Sequence, residues 1–152
     1  MVEDAQIKLK KTLDKVKMLT KANIAEVRSF ACPADKVKLV AMGCCFLLLD
    51  DKQVPGYLNK KGIDDYWDIA KKHVFAKPGD LFVTLTDEEK GYDKTSIDPK
   101  KIRAVKERCR KLPDLWNEKE MQKSSQANYC LFLWVEAMVT FYDVYESTKP
   151  VR

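Results

Sequence analysis

The chain has a single histidine, His73, and only five glycines, none of them at the spacing of a phosphate-cradling loop. One histidine leaves little scope for the commonest general base. No paired carboxylates, and no nucleophile with a base beside it, take its place. His73 itself reads as a surface or packing residue. The five cysteines, Cys32, Cys44, Cys45, Cys109 and Cys130, are an odd number without C-x-x-C spacing, which argues against a disulfide framework and against a zinc site. Most have apolar neighbours and read as reduced core thiols of an intracellular protein. Long hydrophobic runs are also missing. The longest, Leu39 to Leu49, falls well short of the roughly 20 residues that cross a bilayer. No charged-then-apolar leader precedes a cleavage site. These absences leave a non-catalytic binding module, with no cofactor, no metal and no membrane-spanning segment expected.

Its 152 residues are 45% hydrophobic and 34% charged, enough for one domain with a sizeable core. Lys and Arg total 28 against 23 Asp and Glu, a net charge of +5 and a pI near 8.9. That surplus points to an acidic partner, and nucleic acid, anionic lipid and acidic protein all fit it.

The two ends carry the clearest pattern. Leu131, Trp134, Met138, Phe141 and Tyr145 follow one another at steps of 3, 4, 3 and 4, the apolar seam of a coiled coil. Near the start, Leu9, Leu13, Val16, Thr20, Ile24 and Val27 step by 4, 3, 4, 4 and 3. The repeated four is a stutter, and a register with an extra step is free to slide between two alignments. Charge favours pairing. Residues 1–30 carry Lys8, Lys10, Lys11, Lys15, Lys17, Lys21 and Arg28, whereas 124–147 carry Glu136, Asp143 and Glu146 and no Lys or Arg. Plain amphipathic helices of a bundle would show the same stripes. Both ends lie inside helical pattern, so the natural chain is expected to continue on either side.

Between the ends, Pro33 stops the first arm and opens a second helix through Leu49, apolar almost all round and therefore central. Pro55, Gly56 and Gly62 mark a loop over 50–64. Tyr66, Trp67, Ile69, Ala70, Val74 and Phe75 form the inner face of a short helix, with Lys71 and Lys72 outside. Leu81 to Thr86 is β-branched and aromatic, making a small β-hairpin flap over 76–92 a candidate. Asp98 and Pro99 start a helix to about Lys111, closed by Pro113, with Ile102, Val105 and Cys109 inward. Asn117 to Gln122 reads as a short turn, and Ser124 or Ser125 as the cap of the last helix. The expected architecture is mainly α: a compact head of about six helices at the tip of an antiparallel coiled coil. Residues 1–30 are the incoming arm, 31–124 the head, and 125–152 the last head helix running into the returning arm.

The remaining chemistry is electrostatic. Lys36 and Lys38 stand at the start of the buried helix, Lys123 precedes the last one, and residues 100–111 carry seven basic residues, including Lys101, Arg103, Lys106 and Arg110, against one acid, Glu107. If the three helix starts lie together they make one cationic face. A basic helical nucleic-acid module is the alternative of another class, although no finger, aromatic strand motif or base-reading helix accompanies the charge. A scaffold with no ligand, its lysines merely solvated, is the third reading.

The order of elements resembles the microtubule-binding head of a dynein heavy-chain stalk. The entry is Ile24-Ala25-Glu26-Val27-Arg28-Ser29-Phe30, then Cys32-Pro33, then Val37-Lys38-Leu39 and the apolar run. The exit is Trp134-Val135-Glu136-Ala137-Met138, Phe141-Tyr142 and Lys149-Pro150-Val151-Arg152. Asp65-Tyr66-Trp67 with Ala70-Lys71-Lys72 is similar to axonemal forms, as is the long 75–92 stretch, where inner-arm heads carry a β-hairpin flap. The resemblance implies a motor-protein segment that grips α/β-tubulin. Its contacts would be Lys38, a third-helix face including Lys101, Arg103 and Lys106, Lys123, and Arg28 at the end of the incoming arm. It also implies attachment through both arms to the rest of the heavy chain, and a cytoskeletal location in the axoneme of a cilium or flagellum. Sliding of the two arms, driven by a distant ATPase ring, would set the grip. Two positions depart from the family pattern: Leu133 stands where cytoplasmic forms tend to carry a basic residue, and Lys119 where an acid can restrain the binding cation.

Overall fold

In the computed structural model, the described residues are 2–29, 35–48, 63–86, 97, 99–109, 111 and 114–147. Among them are eight helices and no strand. In chain order these are α1 (Val2–Val16), α2 (Lys21–Arg28), α3 (Asp35–Leu48), α4 (Ile63–His73), α5 (Pro78–Thr86), α6 (Pro99–Arg108), α7 (Glu118–Gln122) and α8 (Gln126–Ser147).

Two helices organise the core. In α3, every residue from Leu39 to Leu47 is buried, as its apolar circumference predicts. It packs against α4, α6 and α8. Gly43 permits the closest approach, because a Cβ there would lie 3.3 Å from both the Trp116 ring and Val135 and 3.5 Å from the Cys109 sulfur. The other organiser, α8, touches α1, α2, α3, α6 and α7 along its 22 residues. Its seam residues Leu131, Trp134, Met138 and Phe141 are buried, and so are Ala127, Cys130, Phe132, Val135 and Val139. A two-stranded seam would leave that second set wet. Here it is covered because α8 packs against α2, α3, α6 and α7 as well as α1.

The arms run antiparallel, with the Cys130 thiol donating to the Lys15 carbonyl (3.6 Å) while Leu9 and Phe141 line one groove farther along. Leu9, Leu13, Val16, Ile24 and Val27 are all buried. The incoming arm is not one helix, however. It breaks between Val16 and Lys21, at the stutter. The amides of Met18 and Leu19 bond three residues back, to Lys15 and Val16, which tightens the end of α1. Thr20 then turns extended, at φ −111° and ψ 162°, and caps α2. Its hydroxyl accepts from the Asn23 amide at 3.0 Å while its own amide donates to the Asn23 side chain at 3.1 Å. Thr20 is therefore exposed, and Leu19, outside the expected seam, is 1% exposed in its place. The chain relieves the extra step by stopping and restarting the helix.

The expected strand is also a helix. Leu81 to Thr86 lies in α5, which Pro78 opens with its pre-set φ and dispensable donor. Leu81 and Leu85, one turn apart, are buried where α5 meets α1 and α2. Thr84 tolerates the helix by turning its hydroxyl to the Asp80 carbonyl, 2.9 Å away. Tertiary burial of the i, i+4 leucines overrides the β-branched composition. The rest of the expected flap, 87–92, the 50–62 loop, Asp98 and Pro113 lie outside the described residues. For α6 the inward set is as expected, Ile102, Val105 and Cys109, with Ala104 added. Ser125, rather than Ser124, caps α8 by accepting from the Asn128 amide at 3.2 Å.

Candidate functional site

Lys36 and Lys123 meet at one residue, Glu120. The Lys36 ammonium donates to the Glu120 backbone carbonyl at 3.2 Å, which satisfies an end carbonyl of α7 from the start of α3. The Lys123 ammonium lies 3.2 Å from the Glu120 carboxylate, one turn earlier. The short α7 is fixed for this by its surroundings. Asn117 caps it by accepting from the Glu120 amide at 2.8 Å, Met121 is fully buried, and the hydroxyl of Tyr129 on α8 donates to Glu118 at 2.8 Å. Behind it, buried Asn128 donates to Ser124 at 2.9 Å, tying the α7–α8 corner together. The starts of α3 and α8 therefore meet at one corner through Glu120. Lys119 is exposed, and Glu120, one residue later, is the acid beside Lys123.

The basic helix α6 keeps its start away from that corner. It runs antiparallel to α3: the Cys109 thiol donates to the Leu39 carbonyl at 3.8 Å, and the Lys101 ammonium donates to the Leu47 carbonyl at 3.4 Å. Its start thus lies by the last turn of α3, about 16 Å along the helix from Lys36 at 1.5 Å per residue. Lys106 pairs with Asp143 of α8 at 2.7 Å. Arg103 is exposed, Lys38 is half-buried, and Arg110 lies outside the described residues. Three helix starts on one face was the expectation. The antiparallel course of α6 separates the third from the other two.

Two acids of α8 also engage the head. On α8, Glu136 accepts a hydrogen bond from the Trp116 indole, and Asp143 holds Lys106, so both acids reach into the head. The seam position Tyr145 is helical, and its side chain lies outside the described set.

Arg28 ends α2 with its Nε donating to the Lys71 carbonyl in the last turn of α4, at 3.1 Å. Arg28, Asp68, Lys71 and Lys72 line a concavity of about 560 Å³. Lys71 leans over the Trp67 ring, 5.8 Å from its centroid, and sits 3.6 Å from Asp68. From sequence, Lys71 and Lys72 were only the outer face of a short helix. Glu120 carried a usable signal, an acid three residues before a lysine inside a capped turn.

The described cysteines lie in the core. Burial pushes the Cys44 thiol up to about 12 and the Cys45 thiol well above its usual range, with Cys44 and Cys109 nearby adding to the latter. Cys130 is raised by burial as well. These are neutral packing groups rather than nucleophiles. All four described cysteines are unpaired, and Cys32 lies outside the described residues. His73 is exposed. Among the described residues no cluster of His, Cys, Asp or Glu could hold a metal, and no helix is long and apolar enough to cross a membrane.

A family described as the microtubule-binding stalk of dynein motors matches residues 2–152. Dynein axonemal heavy chain 1 of Mus musculus, of Rattus norvegicus and of Homo sapiens is each 29% identical over 145 residues. The alignment covers 92% of this chain and 3% of each relative.

Proposed function

The chain belongs to the microtubule-binding stalk family of dynein motors, and we propose that it binds the acidic surface of α/β-tubulin through the corner formed by α3, α7 and the start of α8. The observation that carries this reading is the convergence of Lys36 and Lys123 on Glu120. The two cations are held at fixed helix ends, and Lys123 is exposed, so it can exchange Glu120 for a carboxylate of the partner. Lys38 and the exposed Arg103 extend the contact along α3 and α6, Lys101 and Arg110 add charge, and Lys106 serves chiefly to tie α6 to α8. In this reading residues 1–30 and the C-terminal part of α8 are arms leading to the rest of a heavy chain, and the segment does no catalysis of its own. Its axonemal relatives support a place in the axoneme of a cilium or flagellum.

Grip would be set by the arms. The break at Thr20 divides the incoming arm into two short helices, so α1 can change register against α8 without forcing α2 along with it. Disulfides that lock α1 to α8 in each of two registers should give different microtubule affinities, and equal affinities would refute the switch. The primary test is co-sedimentation with microtubules over a salt series for the wild type, Lys36→Glu and Lys123→Glu. Pelleting that weakens with salt and is lost in both variants supports the reading. Binding that survives both reversals removes this corner from it. A basic nucleic-acid module is the competing reading, and there double-stranded DNA should displace the chain from microtubules at low stoichiometry. The engagement of Lys101 and Lys106 within the head weighs against a continuous phosphate-tracking stripe on α6.

A further inference from the structure

We infer that Arg28, Lys71 and Lys72 form a second, separate docking site that takes a short acidic peptide segment by its side-chain carboxylates. The site is built from two helices far apart in the chain. Arg28 closes α2, Lys71 and Lys72 close α4, and the Arg28 Nε–Lys71 carbonyl bond joins the two ends. That bond uses one edge of the guanidinium and orients its other two nitrogens, which have no partner among the described residues. A guanidinium fork held this way presents two parallel donors, the geometry that receives one carboxylate in bidentate fashion.

The neighbouring cations are set differently. Lys71 is committed, over the Trp67 ring and beside Asp68, with only 31% of its side chain exposed. Lys72 is exposed and has no partner among the described residues. All of them line one concavity of about 560 Å³, roomy enough for two or three acidic side chains and too small for a folded surface. One acid, Asp68, against three cations leaves a modest positive surplus. That suits singly charged carboxylates, whereas a nucleic-acid backbone needs a longer row of cations free of an acid in their midst.

This site shares no residue with the Glu120 corner, so it does not depend on the reading of that corner. The probe is a fluorescein-labelled octaglutamate peptide, titrated with the 152-residue chain at low and moderate salt and followed by anisotropy. Arg28→Gln and Lys72→Gln should each weaken binding by about two- to fivefold, as expected for exposed charge pairs. Arg28→Lys, which keeps the charge and loses the fork, should fall between wild type and Arg28→Gln. Lys10→Gln, exposed on α1 and in neither site, should bind as wild type does. Circular dichroism of each variant checks that the helices persist. Unchanged binding in Arg28→Gln and Lys72→Gln overturns the proposal, as does loss in Lys123→Gln alone, which would put the peptide on the other corner. Displacement of the peptide by an oligonucleotide at lower concentration than by unlabelled peptide overturns the carboxylate assignment. Microtubules are absent from the assay, so its failure leaves the stalk reading standing and its success does not require it.

Discussion

The Lys106 ammonium lies 2.7 Å from the Asp143 carboxylate and bridges α6 to the second half of α8, with both side chains about two-fifths exposed. Seven residues earlier on α8, Glu136 is held by the Trp116 indole. Two acids one heptad apart, on one stripe of the helix, are thus both fastened to the head. The α1 side of α8 carries the weaker Cys130 thiol–Lys15 carbonyl contact.

Lys106→Glu should destabilise the chain modestly, by about 0.5–1 kcal/mol in urea denaturation, since a half-exposed pair is screened and the variant adds like-charge repulsion. The reciprocal swap Lys106→Glu with Asp143→Lys should recover most of that loss. A double-mutant cycle with no coupling would show that the bridge is incidental.

Glu120→Gln should tighten microtubule binding by about two- to fivefold at low salt, with the gain shrinking as salt rises, because the ammonium of Lys123 loses its internal partner. The substitution leaves the backbone carbonyl that holds Lys36 in place, so the corner itself should persist. Co-sedimentation titrations decide the matter. A weaker variant would mean that Glu120 orients Lys123 for binding instead of competing for it.

Thr20→Ala should remove the hydroxyl half of the capping box, leave the residue-20 amide to donate to the Asn23 side chain, and cost about 1 kcal/mol. The loss should be local. Amide hydrogen exchange should speed up for residues 21–24 more than for the buried turns of α3. Uniform acceleration along the chain would argue that the break is integral to global stability.

Stability should decline as pH rises above about 9. The unfolded Cys44 thiol releases its proton near 9.0, whereas the folded one holds it to about 12, so above pH 9 the folded state binds more protons and unfolding is favoured by raising pH. The contribution is complete below pH 9 and is lost progressively between 9 and 12. Urea midpoints measured in reducing buffer at pH 8 and 10.5 test this, with Cys44→Ala expected to flatten the decline. A wild-type midpoint that does not move would place Cys44 in contact with solvent.

The apolar patterns of α3, α6 and both arms were legible because each depends on spacing along one chain, which helix geometry converts directly into a face. The cap of α8 was local as well, narrowed to Ser124 or Ser125, since a capping side chain bonds amides two or three residues away. Position 20 marks the limit of such reading. The stutter announced an irregularity there, but only the burial of Leu19 and the Thr20–Asn23 box decided that the helix breaks rather than overwinds. The strand expected at 81–86 failed for a related reason: its composition suits either element, and Leu81 and Leu85 found partners at helical spacing.

The sequence by itself determined a mainly helical, lysine-rich chain with apolar stripes at both ends, because composition and periodicity are properties of the chain alone. Only the tertiary structure decided which cations act together. The antiparallel course of α6 takes Lys101 away from Lys36 to Leu47, and Lys106 pairs with Asp143 of α8. The meeting of α2 with α4 gives Arg28 neighbours more than forty positions distant. Charge interaction falls off over a few ångströms in salt, so its consequences depend on distances through space that no sequence interval encodes.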